Sequence, residues 1–385
     1  MKKGHSMGKC RICGTAIDSK PLFVLQNMPK SAQNFPTLEN AHLDMGVNLE
    51  LFECPACGTV QLLGEPVPYF RDVIRATSVS SELAAYRVGQ FHNWLMESDL
   101  LGKRIIEIGC GAGDYTECLS KAGALAVGLE HSKENVLAAQ SRGISVIEGF
   151  IVNEESVLPG SPFDGFIIMN YLEHIPDPCS FLRGIAANLR DEAYGIVEVP
   201  NADMVFRKHL YSELIQDHLV YYTERTLRLV LELSGFDILA CDQIRSDYVI
   251  SAKVKKRRSM DLSDFDIQQK KLGEVFKRYF QKMRGMERTL AVWGAGHQAL
   301  ANMSNLHMES NVSYVLDSAK FKQDHVTPAS HIPIVDPSVL KNGEIGAVII
   351  MAGSYSDEIA GIMVKDFPDI LYAVLREDGT LEESI

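Results

Sequence analysis

The stretch RIIEIGCGAGDYTECLSKAG, residues 104–123, limits the fold more than any other part of this chain. A strand-like run over 104–108 meets glycines at 109, 111 and 113, then passes into a helix-spaced segment that stops at Gly123. Glycine reaches backbone angles closed to other residues, so a strand can turn at once into a helix. The rhythm continues. Strands are expected at 125–130 (LAVGLE), in ISVIEG, at 163–170 and at 194–200, with helices ending at Gly143 and opening at Pro178. Alternation at this spacing packs as a parallel sheet with helices on both faces, so the expected class is α/β. After a helix expected at 264–284, a second alternating unit has strands near 290–293, 312–316, 346–351 and 370–374.

A chain of 385 residues is too long for one ordinary core. Residues 1–75 have little periodicity, whereas 82–97 has helical spacing of Leu83, Tyr86, Phe91 and Leu95. Residues 201–222 break the rhythm, and TERTLRLVLELSG resumes it as an amphipathic helix capped by Thr223. The basic run KVKKRR, 253–258, reads as a solvated linker. The expected domains are therefore 1–75, 76–257 and 258–385. A net charge of −12 argues against a general nucleic-acid binder. No apolar run approaches the roughly 20 residues of a membrane span. The N-terminus lacks the apolar stretch of a signal peptide, and Met7 is a candidate native start. A cytoplasmic protein is expected.

Four of the eight cysteines form two CxxC pairs, Cys10/Cys13 and Cys54/Cys57, each followed by a glycine. CxxC lets one tight turn offer two thiolates, and zinc prefers four in a tetrahedron. A structural Zn2+ is expected there. Four thiolates leave no open position for metal catalysis. Cys110, Cys118, Cys179 and Cys241 read as small core residues.

The first glycine loop reads G-x-G-x-G, with Glu107 two residues before Gly109. A carboxylate at that strand end would repel a phosphate and suits a ligand carrying an ammonium group, such as S-adenosylmethionine. Glu130 ends the next strand, where a carboxylate can accept both hydroxyls of a ribose. In NYLEHIPDP, 170–178, Asn170 and Leu172 are placed to flank that ligand, and His174 reads as holding its loop. In the tail, GAGHQA fits G-x-G-x-x-A with Asp317 about 20 residues on, and a helix start at His297 suits a phosphate.

IIEIGCGAGDY, GLE and LEHIPDP resemble the class I S-adenosylmethionine-dependent methyltransferases. With the CxxC…CxxC head, YGIVEVPN, IQDHLVYYTERTL and the tail VWGAGHQAL…YVLDSAKFKQDHVTPASHIPIV, nearly the whole chain resembles the sugar C-methyltransferases. The resemblance implies a class I methyltransferase sheet flanked by a small zinc-binding domain and a second Rossmann-like domain. It implies a donor site at Glu107, Gly109, Cys110, Gly111, Gly113, Glu130, Asn170 and Leu172. The acceptor would be a nucleotide-linked keto-deoxy sugar, with Asn201, Tyr222, Gly294, Gly296 and His297 as contacts. His218 would take the proton beside the ketone and Asp217 would orient it. This chain departs from the family pattern: Asp217 replaces Glu, Gln216 replaces His, and Ile215 stands where Tyr is usual. The segment IRATSVS, 74–80, lacks the tyrosine expected near its start; Tyr69, Tyr221, Tyr222 and His209 are the substitutes to consider. The alternatives are an O- or N-methyltransferase on another polar metabolite and a non-catalytic scaffold. A monomer or homodimer is expected.

Overall fold

A computed structural model describes residues 8–33, 35–72 and 79–384. The chain divides into two compact units, residues 1–259 and 260–385. Unit 1 is built on a seven-stranded sheet. Its strands are β1 (Arg104–Ile108), β2 (Leu125–Glu130), β3 (Val146–Glu148), β4 (Phe163–Met169), β5 (Leu189–Pro200), β6 (Phe236–Ile244) and β7 (Val249–Lys256). Their order is β3-β2-β1-β4-β5-β7-β6, and β7 alone runs antiparallel between β5 and β6. Phe166, Ile167 and Ile168 at the centre are fully buried. Each such side chain contributes about 1.5–3 kcal/mol when removed from water.

Helices α1 (Ser81–Glu97), α2 (Asp114–Ala122), α3 (Lys133–Ser141) and α4 (Pro178–Ala187) belong to this unit, as do α5 (Ala202–Arg207) and α6 (Glu224–Leu233). Their starts follow capping chemistry: Ser80, Ser132, Asp177, Asn201 and Thr223 each accept a backbone N–H from the first turn. Helix α1 is fastened to the sheet by a buried bidentate pair, Arg87 to Glu198, at 2.7 and 2.8 Å. Gln90 and Ser251 also donate to the Glu198 carboxylate, at 2.9 and 3.2 Å.

Two features differ from the sequence reading. The basic run at 253–258 is mostly strand, not linker: β7 carries Lys253, Lys255 and Lys256. Lys253 and Lys255 reach sideways to Glu97 and Glu192 at 2.6 and 2.8 Å, so the run is a charge-paired strand within the sheet. The head also contains regular structure. Phe23–Met28, Val47–Glu53 and Val60–Leu62 form an antiparallel sheet, completed by Val220–Tyr221 from the segment read as irregular. Through that strand the cysteine-bearing head and residues 201–222 share one piece of structure.

Unit 2 begins with α7 (Ser263–Gly285) and is a six-stranded sheet. Its strands are β8 (Leu290–Trp293), β9 (Val312–Leu316), β10 (Ile334–Val335), β11 (Ala347–Ile350), β12 (Leu371–Leu375) and β13 (Leu381–Glu383), in the order β10-β9-β8-β11-β12-β13. All pairings are parallel except that of β13. Helices α8 (His297–Asn305) and α9 (Ser356–Asp366) complete it. No helix among the described residues is long and apolar enough to cross a membrane.

Candidate functional site

The glycine loop closes the carboxyl end of β1. Gly109, Gly111 and Gly113 all have positive φ, at 70°, 56° and 85°. The Gly109 and Cys110 N–H groups donate to the Leu129 carbonyl at 2.9 and 3.0 Å. The Gly111 N–H donates to Glu130 at 2.8 Å, and the other Glu130 oxygen accepts the Ser132 N–H at 2.7 Å. Glu130 thus sits at the junction of loop and second strand. Glu107 is fully buried and accepts the Thr116 hydroxyl at 2.5 Å, which holds the start of α2 against β1. Cys110 is buried.

The segment after β4 faces this loop. Asn170 has a left-handed φ of 52° and lines a cavity of about 280 Å³. Leu172 turns into the main core and is fully buried. The residue between them, Tyr171, lies on the loop. A Cβ added to Gly109 would come within 2.7 Å of the Tyr171 ring. The Tyr171 hydroxyl donates to the Arg71 carbonyl at 2.7 Å. Next to it, Phe150 packs near Phe70, His131 and Phe181, and Asp72 meets His131 at 2.8 Å. Residues 69–72 therefore cross the carboxyl ends of the strands. Residues 74–78 of IRATSVS lie outside the described residues.

The same cavity is lined by Tyr69, Glu173, His174, Asp217 and His218. His174 and His218 stand edge to face, ring centroids 4.9 Å apart. His174 Nδ1 lies 2.9 Å from the Asp217 carbonyl. A carbonyl only accepts, so Nδ1 carries the proton and Nε2 the lone pair. Burial, with the neighbouring His174, pushes His218 down to about 3; burial also lowers His174. Both rings are neutral near pH 7. Burial raises Glu173 to about 8.

Asp217 does not orient His218 through its carboxylate in the way the sequence suggests. One oxygen accepts the Tyr69 hydroxyl at 2.7 Å and the other the Ala32 N–H at 3.0 Å. The side chain ties two head segments to the histidine loop.

Asn201, Tyr221 and Tyr222 lie beside a small cavity shared with Glu173 and His218. Asn201 caps α5 and donates to the Asp247 carbonyl at 2.8 Å. Tyr221 exchanges hydrogen bonds with the Ile215 backbone. Tyr222 is buried and lines a small 40 Å³ cavity with Glu173 and His218. His209 is exposed, with a left-handed φ of 56°. The sequence reading passed over Tyr171 and Glu173, each one position from a residue it named; only the direction of the chain after β4 distinguishes them.

The four cysteines come together. Cys10 and Cys57 sulfurs are 3.5 Å apart, as are those of Cys13 and Cys54, and all four lie within 4.8 Å of one another. A tetrahedral zinc with bonds of about 2.3 Å places its sulfurs about 3.8 Å apart. The two turns match: the Gly14 N–H donates to the Cys10 carbonyl at 3.0 Å and that of Gly58 to Cys54 at 2.8 Å. The donor set fits zinc.

In unit 2 a cavity of about 880 Å³ is lined by Gly294, Gly296, His297, Asp317, Lys322 and others. Gly294 has φ of 119°, and a Cβ there would approach the Met351 carbonyl oxygen to 2.7 Å. Asp317 accepts the Ala295 and Ala319 N–H groups, each at 2.9 Å, and pairs with Lys322 at 2.8 Å.

Comparison with known proteins identifies the parts. Residues 81–240 match the family described as a methyltransferase domain. The middle of this chain is thus similar to methyltransferase domains. Residues 252–365 match the C-methyltransferase C-terminal domain. A ubiquinone biosynthesis O-methyltransferase of Actinobacillus pleuropneumoniae serotype 5b is 32% identical over 104 residues, 24% of this chain and 44% of that protein. One of Vibrio campbellii is 27% identical over 148 residues, 36% of this chain and 59% of that protein. The chain thus spans about half the length of the curated relatives it matches. Among solved structures, magnesium protoporphyrin IX methyltransferase from Synechocystis PCC 6803, with bound SAH, is 19% identical, with a TM-score of 0.37 over 48% of this chain and 90% of that one.

Proposed function

We propose that this protein is an S-adenosylmethionine-dependent C-methyltransferase acting on a nucleotide-linked keto-deoxy sugar. The observation that carries the reading is the position of Tyr171. It packs on Gly109 of the donor loop and also lines the cavity holding His174 and His218. A donor on the glycine loop and an acceptor in the cavity meet beside this residue. Binding both at once converts a two-body encounter into an aligned transfer, the largest contribution a methyltransferase can make without covalent chemistry.

In this reading Gly109, Cys110, Gly111 and Gly113 let the donor approach the backbone, Glu130 accepts its ribose hydroxyls, and Glu107 braces the loop through Thr116. Asn170 lines the acceptor cavity and Leu172 fixes its segment in the core. In the metal-free site His218 takes the proton from the carbon beside the ketone, and the enolate carbon attacks the sulfonium methyl. The products are the branched sugar nucleotide and S-adenosylhomocysteine. The four thiolates hold a structural zinc. Gly294, Gly296 and His297 line the cavity of unit 2, which taken by itself can receive a diphosphate. The match of the tail to a C-methyltransferase domain supports carbon as the methylated atom. A second reading, O-methylation, draws on the names of the curated relatives.

One experiment separates them. Nucleotide keto-deoxy sugars carrying deuterium beside the ketone are incubated with labelled donor and analysed by mass spectrometry. C-methylation requires loss of deuterium from each methylated molecule. A methylated product that keeps it overturns C-methylation.

A further inference from the structure

Glu173, His174 and His218 offer three metal-ligating atoms that lie within 4.8 Å of one another. They sit where the 280 Å³ cavity meets the small 40 Å³ one, since Glu173 and His218 line both. The Glu173 carboxyl is 2% exposed, and its Oε2 is buried without a hydrogen bond. Among the described residues the basic group that meets it within 4 Å is His174, with Oε1 3.8 Å from Nε2. A buried carboxylate without a counter-charge is costly, so such a group is either protonated or neutralised by a bound cation.

The histidines are arranged for the second outcome. His174 donates Nδ1–H to the Asp217 carbonyl, which leaves the Nε2 lone pair on the Glu173 side. Metal-bound histidines almost always have the other ring nitrogen fixed in this manner. His218 meets the His174 ring at 75°. We propose that Glu173, His174 and His218 form a second metal site, which takes a divalent first-row transition ion and leaves coordination positions open to the cavity. Two imidazoles and one carboxylate suit manganese, iron, cobalt or zinc. Ligand atoms at about 2.1 Å from an ion stand about 3–4 Å apart, so the 3.8 Å pair already fits and small side-chain rotations close the rest.

The site gives the cavity a charge that its neutral imidazoles lack. An ion there would polarise the acceptor oxygen and stabilise negative charge developing on it. With an ion bound, His218 would be a ligand rather than the base, and an ion-bound water that has given a proton to solvent would take the carbon-bound proton in its place. The catalytic role rests on the proposed function; the binding of metal does not.

The test titrates protein adjusted to one zinc per chain, held by the four cysteines, with Mn2+, following free Mn2+ by its paramagnetic resonance signal, and with Co2+ by visible absorption. The parent is expected to bind one Mn2+ per chain. Glu173→Gln and His174→Gln should each weaken this at least 10-fold, with the cysteine-bound zinc and the circular dichroism retained. No Mn2+ or Co2+ bound by the parent overturns the site, as does unchanged binding in both variants. If one variant fails to fold, the other decides by the same criterion. Mn2+ bound by an enzyme whose methylated product keeps its deuterium supports the site and overturns C-methylation alone.

Discussion

The ring of Tyr171 lies against Gly109 so closely that a Cβ on the glycine would come within 2.7–2.9 Å of it. Gly109 also has φ of 70°. Gly109→Ala therefore meets both backbone strain and a clash with a ring whose hydroxyl is fixed to Arg71. Strain of this kind costs about 1–3 kcal/mol. The variant should lose about 10–100-fold in affinity for S-adenosylmethionine by calorimetry, as loop or ring is displaced. Parental affinity would show that this contact is not beside the donor.

The Arg87–Glu198 pair has no exposed side-chain surface on either partner. Removing one partner of a buried pair leaves the other's charge uncompensated, at a cost of about 3–5 kcal/mol. Glu198→Ala should lower the midpoint of chemical unfolding of unit 1 accordingly. The loss of α1 from the sheet should be visible as early exchange of its amide hydrogens. An unfolding midpoint equal to the parent's would show that the Glu198 contacts add nothing net to stability.

One zinc is expected per chain on the four thiolates, detected in protein purified without added metal. Cys57→Ser should lose it and reduce soluble yield, because structural zinc contributes folding free energy directly. The head sheet is completed by Val220–Tyr221, so metal loss should also loosen the segment leading to His218. Chelation should therefore lower turnover even though the thiolate site has no open position. A metal-free protein with full activity and a parental unfolding curve counts against the zinc.

In unit 2 the two glycines of the turn differ. Gly294 cannot accept a side chain, but a Cβ on Gly296 meets nothing within 4 Å. Gly296→Asp should therefore fold normally and place a carboxylate at the mouth of the cavity, next to the first turn of α8. It should weaken binding of a nucleotide diphosphate sugar by about tenfold or more through repulsion, and leave donor affinity unchanged. Weakened donor binding with nucleotide binding intact would reverse the roles of the two loops.

How much of this was legible in the sequence depended on whether local pattern or tertiary contact decided the outcome. The strands from Arg104 to Pro200 follow from apolar runs broken by glycine and proline, which act over a few residues. The pair Val220–Tyr221 could not be read that way: two residues become a strand only because Val60–Leu62 supplies the partner. The lysines of β7 looked like a linker because charge usually marks solvent; Lys253 and Lys255 extend to Glu97 and Glu192, which follow them by no sequence rule. At the site, motif spacing singled out Glu130, which holds the glycine loop to the second strand, and His218, which lines the cavity. It misdirected Leu172, whose side chain the turn at Asn170 sends into the core. It gave no sign that Asp217 serves Tyr69, 148 positions away.

That last contact separates two accounts of Asp217. If its carboxylate oriented His218, Asp217→Asn would change the pH dependence of turnover, and Tyr69→Phe would do little. The observed bonds run instead from the Tyr69 hydroxyl at 2.7 Å and the Ala32 N–H at 3.0 Å. Asp217 then acts by holding residues 32 and 69 over the cavity. Hydrogen bonds to a charged group are worth about 1.5–3 kcal/mol, so Asp217→Asn should reduce turnover by roughly 10–100-fold. Tyr69→Phe removes one of the same bonds and should reduce it by roughly 10-fold. The two losses should not add: with Asn at 217, Tyr69→Phe should cost much less, giving a coupling of about 1 kcal/mol in a double-mutant cycle. The pH profile should keep its shape in both single variants, because neither changes the surroundings of the His218 ring directly. Additive losses, or a profile displaced in Asp217→Asn but not in Tyr69→Phe, would return Asp217 to the role of orienting His218.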